Sequence, residues 1–303
     1  MTGLLAILPA CSLLRFSRSS DYAASEFFQK PPAAWSTART LRVVTWNIKD
    51  LYWLSSNRAE RMAGIAAALV AARPDVVCLQ EGLVAGDVAI VANALRGIGI
   101  EHAIDYPSGT VGSGLWTLSR FPIREAFFRR YSKNGAMLDT AGGDWWAGKG
   151  VGLARLEVAP GELLDIYNTH MICNLGGAEL RAHRLVQVRE YTGFATGATP
   201  PNVPSLLLGD FNCGYGGRDS DHLHDVMRWE PMLQRRWGYD HVFARSPGGG
   251  YRFTPVEELT IRGEVRIGDE PGTKVALSDH DGLLVEVAIA PPPLPPPPRV
   301  RLP

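Results

Sequence analysis

Short apolar runs that stop at a polar side chain recur along this chain, and they constrain its fold more than any other feature. Leu41-Arg-Val-Val-Thr-Trp-Asn47 ends in an amide and Asp75-Val-Val-Cys-Leu-Gln-Glu81 in a carboxylate. Leu163 to Thr169 leads to His170, and Ser205-Leu-Leu-Leu-Gly-Asp-Phe-Asn212 ends in a carboxylate and an amide. Tyr239-Asp-His-Val-Phe243 carries Asp240 at its start, and Ala276-Leu-Ser-Asp-His280 leads into an apolar stretch over Gly282 to Ile289. Roughly four to eight apolar residues make one buried strand. Side chains two apart on a strand end share a face, so Asp210 and Asn212 are expected to aim together.

Helical spacing fills the gaps between runs. Over Asn57 to Arg73, the side chains of Met62, Ile65, Ala66, Leu69 and Val70 line one face, with Asn57 as N-cap and Pro74 as stop. Further helices are expected over Asp87 to Arg96 and Gly177 to Gly193. Val151 to Val158 and Leu163 to Thr169 read as a hairpin joined at Pro160-Gly161. Gly114 to Ile123 reads as strand, turn, strand, with Arg120 at the break. Strands and helices alternate early, while hairpins dominate the middle. This predicts an α/β layer protein with two sheets rather than one doubly wound sheet. Strand ends on one rim are where α/β proteins place ligand sites. Asn47, Glu81, His170, Asp210 and His280 all sit where runs end.

Composition sets limits. An apolar fraction of 46% over 303 residues allows a full core, and a net charge of zero gives no global field toward nucleic acid or an anionic membrane. Cys11, Cys78, Cys173 and Cys213 are spaced for neither a zinc signature nor a dense disulfide framework. No apolar run reaches the ~18 residues of a spanning helix. Residues 1–40 read as leader and linker, 41–289 as the domain, and 290–303 as a proline-rich tail favouring extended geometry. Leu8-Pro-Ala-Cys11 is similar to a lipoprotein cleavage site, which would mean secretion or anchoring through Cys11. No Lys or Arg precedes it, which fits a cytoplasmic leader instead.

Taken singly, each polar run-end has a structural explanation: a turn former, a solvated strand end, a satisfied histidine. Taken together they form a hydrolytic set. Glu81 and Asn47 offer hard oxygen ligands suited to Mg²⁺, with Mn²⁺ or Ca²⁺ as substitutes, and no soft cluster for zinc accompanies them. A divalent ion would polarise a phosphoryl oxygen. His280 is the candidate general base, and Asp240 the carboxylate that holds its ring. His170 is the candidate donor to a phosphoryl oxygen, and Asp210 and Asn212 would place the attacking water.

Seven segments now carry a resemblance. Thr45-Trp-Asn47, Leu79-Gln-Glu81, Ser113-Gly-Leu-Trp-Thr-Leu-Ser-Arg120, Asn168-Thr-His170, Gly209-Asp-Phe-Asn212, Tyr239-Asp-His-Val242 and Ser278-Asp-His280 occur in the order of the endonuclease/exonuclease/phosphatase superfamily. Over residues 41–289 the chain resembles that superfamily. The resemblance implies a four-layer α/β sandwich of the DNase I type, two packed mixed β-sheets flanked by helices, with a Mg²⁺ site at one end. It implies Glu81 as the main metal ligand, Asn47 near metal and phosphate, and Asp279 close to the metal. Arg120 is a further candidate substrate contact in the matched segments.

Asp144-Trp-Trp-Ala-Gly-Lys149-Gly150 is similar to a loop of neutral sphingomyelinases that helps set up the active site, which implies such roles for Lys149 and Asp144. Trp145 and Trp146 suit a membrane interface or a packed core. That branch implies hydrolysis of sphingomyelin to ceramide and phosphocholine at a membrane surface, with no obligate protein partner evident. DNA is the substrate of the nuclease alternative, for which Arg129-Arg130 and Lys133 supply only a few phosphate contacts. A phosphoinositide phosphatase lacks its extra basic cluster here. A non-catalytic binding module is disfavoured, because every catalytic position keeps a competent side chain.

Overall fold

The computed structural model describes residues 22–134, 147–173, 177–214, 229–233, 238–268 and 272–293. The leader with Cys11, then Asp144, Trp145 and Trp146, and the end of the proline tail lie outside the described residues. In chain order the strands are β1 (Arg39–Asp50), β2 (Val76–Gly82), β3 (His102–Asp105), β4 (Trp116–Ser119), β5 (Ile123–Arg130), β6 (Gly150–Ala159) and β7 (Glu162–His170). They continue as β8 (Ser205–Asp210), β9 (Glu230–Pro231), β10 (Asp240–Arg245), β11 (Arg252–Ile261), β12 (Glu264–Arg266), β13 (Lys274–Ala276) and β14 (Gly282–Ala290). The helices are α1 (Glu26–Gln29), α2 (Arg58–Ala72), α3 (Ala85–Arg96) and α4 (Gly177–Ala198).

Two six-stranded sheets form, ordered β11-β14-β1-β2-β4-β3 and β5-β6-β7-β8-β10-β9. Each is mixed, with one parallel pair: β1 with β2, and β7 with β8. Strand alternation sorts the side chains into layers. Leu41 and Val43 of β1, Ile166 of β7, Leu206 and Leu208 of β8 and Val285 of β14 fill the core between the sheets. Their neighbours Val44, Trp46 and Leu284 face the other way, against Met62, Ile65 and Leu69 of α2 and Val88 and Val91 of α3. Leu207, Tyr167 and Phe243 likewise pack with Val188, Tyr191 and Phe194 of α4. The result is the four-layer α/β sandwich, built because the central strands β1, β2, β7, β8 and β14 bury both faces.

Residues 22–40, expected as linker, belong to the packed unit. Trp35 is buried; its amide donates to Tyr251 Oη at 2.8 Å and its indole Nε1 to Leu163 O at 2.8 Å. Ser25 is buried beside Arg155 and Glu125. Asn57 does precede α2, but in a left-handed conformation (φ +50°) with no side-chain capping bond. Its contribution is tolerance of that backbone geometry, which β-carbon sterics deny most residues. Among the described residues no helix is long and apolar enough to cross a membrane.

Candidate active site

The strand parity that fills the core also builds the site. On β1, β7, β8 and β10 the inward positions next to the rim are Asn47, His170, Asp210 and Asp240, all buried. β1, β2, β7 and β8 finish at that rim, and β10 and β14 begin there. Asn47 Nδ2 crosses between the sheets to Asp210 Oδ2 at 3.1 Å. Gln80 and Asn168 bridge the sheets one step deeper, at 2.8 Å, and Asn168 Nδ2 also donates to Leu79 O and Trp116 O. This satisfied polar layer fixes the spacing of the two rims.

Glu81 breaks the parity. Continuing β2 would point it toward the helices with Leu79, but its φ is +56°. The turn brings its carboxylate within 3.9 Å of His170 Nε2. A non-glycine residue held in that region costs roughly 1–3 kcal/mol and is a feature of functional sites. Asn212 also sits at positive φ (+49°), so it does not continue the strand beyond Asp210. Its amide N–H donates to Asp210 Oδ1 at 2.9 Å and its Nδ2 to Met171 O at 3.0 Å. Asp210 is thus bonded by the Asn212 backbone, while the Asn212 side chain turns to Met171 O rather than following the expected alternation.

His280 Nδ1 bonds Asp240 Oδ2 at 3.0 Å, and its Nε2 lies 3.8 Å from Asp210 Oδ2. Burial opposes the imidazolium, but the Asp240 bond and the charges of Asp210, Asp240 and Asp279 outweigh it and raise His280 to about 9. His170 is pushed the other way: burial, then the Lys149 ammonium, then His280 hold it well below the usual histidine value. Lys149 is buried, with Nζ 2.9 Å from His170 Nε2 and 2.8 Å from Met171 O. An ammonium only donates, so that ring nitrogen accepts. Lys149 thus brings a positive charge beside His170 Nε2.

Burial, reinforced by Asp240, raises Asp210 to about 6. Burial also raises Glu81, against the pull of Lys149 and Asn47. Asp279 is half exposed at the margin, 2.7 Å from Lys49 Nζ. Burial raises its carboxyl, but Lys49 and His280 bring it below its ordinary value. Among the described residues, ligand atoms of Asp210, Asp240 and His280 lie within 4.8 Å of one another, close enough to share an ion. Carboxylate and amide oxygens crowd at this one rim, where burial first, and neighbouring carboxylates second, raise Asp210 and Glu81. That donor set fits a hard divalent cation.

Arg120 is not part of this assembly. β4 runs antiparallel to β2, with Ser119 opposite Val76, so Arg120 falls at the far rim and bonds Asp75 at 2.9 Å. Three contributors escaped the sequence reading. Arg61 of α2 is buried and donates to the carbonyls of Ile48 (2.5 Å), Lys49 (3.0 Å) and Leu277 (2.8 Å). Ser278 Oγ donates to Asn47 O at 2.7 Å, and Trp46 Nε1 to His280 O at 3.0 Å. Together they tie the end of β1 to the segment carrying Asp279 and His280. Arg61 reads in sequence as one more polar residue of an amphipathic helix. Trp46 and Ser278 lie in quoted motifs, and their adjacency to Asn47 and His280 was the available signal.

A polar cluster lodged between two mixed sheets, at the rim where parallel strands end, defines a class of α/β-sandwich proteins. The chain belongs to the Endonuclease/Exonuclease/phosphatase family, which it matches over residues 44–280. It is 27% identical over 275 residues to a Drosophila melanogaster protein named "Putative neutral sphingomyelinase", covering 82% of this chain and 61% of that one. It is 33% identical over 174 residues to mouse (Mus musculus) sphingomyelin phosphodiesterase 2, covering 57% and 41%. The chain thus spans about half the length of the curated relatives it matches. Its fold is similar to that of sphingomyelinase C from Streptomyces griseocarneus, with TM-score 0.62, 21% identity, and coverage of 83% of this chain and 99% of that one. A Staphylococcus aureus beta toxin with bound magnesium ions shares the fold at TM-score 0.64 and 14% identity, over 82% and 99% of the two chains.

Proposed function

We propose that this chain is a divalent-cation-dependent phosphodiesterase acting on a phospholipid head group, cleaving sphingomyelin to ceramide and phosphocholine. The observation that carries the hydrolytic reading is His280 held by Asp240 at 3.0 Å with its Nε2 facing Asp210. The relatives named for sphingomyelin support the choice of ester. In this reading Asp210 and Asn212 orient a water near His280 Nε2. The water oxygen attacks phosphorus and its proton passes to Nε2, while the bonding pair of the broken P–O bond leaves with the ceramide oxygen, which takes a proton from solvent. Lys149 faces the phosphate charge, with His170 and Met171 O fixing its ammonium. Glu81 and Asn47 would hold Mg²⁺, with Mn²⁺ or Ca²⁺ as substitutes. A cation held there would polarise a phosphoryl oxygen and offset the carboxylate charge around His280.

The test is hydrolysis by purified protein of sphingomyelin vesicles and duplex DNA in parallel, with Mg²⁺ or with chelator. Phosphocholine release that needs Mg²⁺ and disappears in His280→Ala is expected. DNA cleavage without lipid turnover would keep the site and transfer the protein to the nuclease alternative.

A further inference from the structure

Among the described residues, three of the five exposed large apolar side chains, Trp53, Leu54 and Tyr239, lie by the active-site rim, and the other two, Val256 and Leu259, lie on β11. Trp53 is 85% exposed and Leu54 70%, on the turn Tyr52–Leu54 that follows β1 directly. Tyr239, 42% exposed, precedes Asp240 at the same rim. The turn is a braced platform. Ser55 Oγ accepts from Leu51 N at 3.0 Å and donates to Lys49 O at 2.6 Å. Arg58 Nη1 donates to Tyr52 O at 2.7 Å. Tyr52 Oη reaches Val111 O at 3.3 Å, in the loop whose Ser108 Oγ bonds Gly148 O, next to Lys149. The backbone is fixed while the two side chains at its tip point into solvent beside the catalytic groups.

We propose that Trp53 and Leu54 form an interfacial anchor that inserts into a lipid surface and sets the rim against it. This deepens the lipid reading of the site and rests on it. Indole is amphipathic and settles at head-group depth, and leucine partitions below it. A lipid surface is favoured over a protein partner by continuity with the site, since the scissile phosphate of a bilayer lipid lies at that same depth. The charged neighbours Lys49 and Arg58 are already paired with Asp279 and with Asp50 and Asp87. Attraction is therefore apolar and insensitive to salt.

The test is sedimentation with vesicles of phosphatidylcholine and sphingomyelin, using the His280→Ala protein so that lipid composition stays constant. The double substitution Trp53→Ala, Leu54→Ser in that background should bind about tenfold more weakly, since its apolar burial in lipid is lost. Val256→Ser, at a side chain 55% exposed on the edge strand β11, should bind like its parent. Equal binding by double variant and parent, or no binding by either, overturns the anchor. So does a parent that self-associates without lipid and a double variant that does not, because the turn is then an interface between copies. In the His280-containing protein, turnover of vesicle lipid should fall about tenfold more than turnover of a water-soluble aryl phosphodiester. If the unsubstituted enzyme hydrolyses neither, the proposed activity fails, while sedimentation still decides the anchor.

Discussion

Asp240 and Arg61 both act on His280, by different physics. Asp240 bonds Nδ1 and so fixes the tautomer and the ring. Asp240→Asn keeps the shape but presents the wrong donor pattern, and kcat is expected to fall by about 10²–10⁴, the usual worth of a positioned acid–base group. The unfolding midpoint should shift little; a kcat within twofold of the parent would remove Asp240 from the dyad. Arg61 fixes where His280 stands, because its fork satisfies three carbonyls on two segments. Lysine has one nitrogen and cannot span them. Arg61→Lys should therefore destabilise by about 2–4 kcal/mol through buried carbonyls left without donors, and lower kcat as the Ser278–His280 segment loosens. Urea denaturation reads the first and steady-state kinetics the second. At this scale the reacting groups were legible, since a polar side chain that ends an apolar run is conspicuous. Their supports were not: Gln80 and Asn168 lie inside strands, and Arg61 lies on a helix, where only the fold reveals what they bond.

Elements were legible where both faces of a strand are apolar. β1, β2, β7, β8 and β14 announce themselves, whereas β11 is an edge strand with mostly exposed side chains, Pro255 within it and a bulge between Pro255 and Glu257. An edge strand needs only one packed side, so its sequence carries little pattern. The N-terminal segment was missed for a related reason. It has no period of its own and is held by single contacts, above all at Glu162. That carboxylate accepts from Ser36 N (2.7 Å), Ser36 Oγ (2.6 Å), Arg39 Nη2 (2.7 Å) and Arg39 Nε (3.2 Å). Burial raises its carboxyl, but the Ser36 and Arg39 bonds outweigh it, and the folded value lies below the ordinary one. A depressed carboxylate contributes stability that is fully present above the unfolded value of about 4.3 and is lost as pH falls through the folded value. Glu162→Gln should thus lower stability by about 2 kcal/mol at pH 7, and the gap to the parent should close on acidification below pH ~4. Thermal melts across that range check it; a gap independent of pH would mean packing rather than charge holds the segment.

At the scale of the whole molecule, two sheets that share an apolar core are brought together with like charges at one rim. Burial raises both Glu81 and Asp210 there, so folding takes their carboxylates out of water at a cost, and the fold tolerates it because the cores and helices outweigh it. Stability given up at a site in this way is recovered by what the site binds. The sign is definite. A carboxylate whose folded value is raised detracts from stability above that value, and removing its charge restores it. Glu81→Gln, which keeps the side chain's size and its amide-compatible contact with Asn47, should raise Tm by a few degrees without added cation. The parent should gain Tm on titration with Mg²⁺, following RT ln(1 + [L]/Kd), and lose it to chelator, while Glu81→Gln should gain little. Differential scanning fluorimetry of both proteins across a Mg²⁺ series needs no turnover and so reads the site apart from the chemistry. Parallel rises in the two proteins would place the cation elsewhere; a lower Tm for Glu81→Gln without cation would mean that Lys149 already offsets the Glu81 charge, leaving the left-handed turn at Glu81 to serve substrate rather than metal.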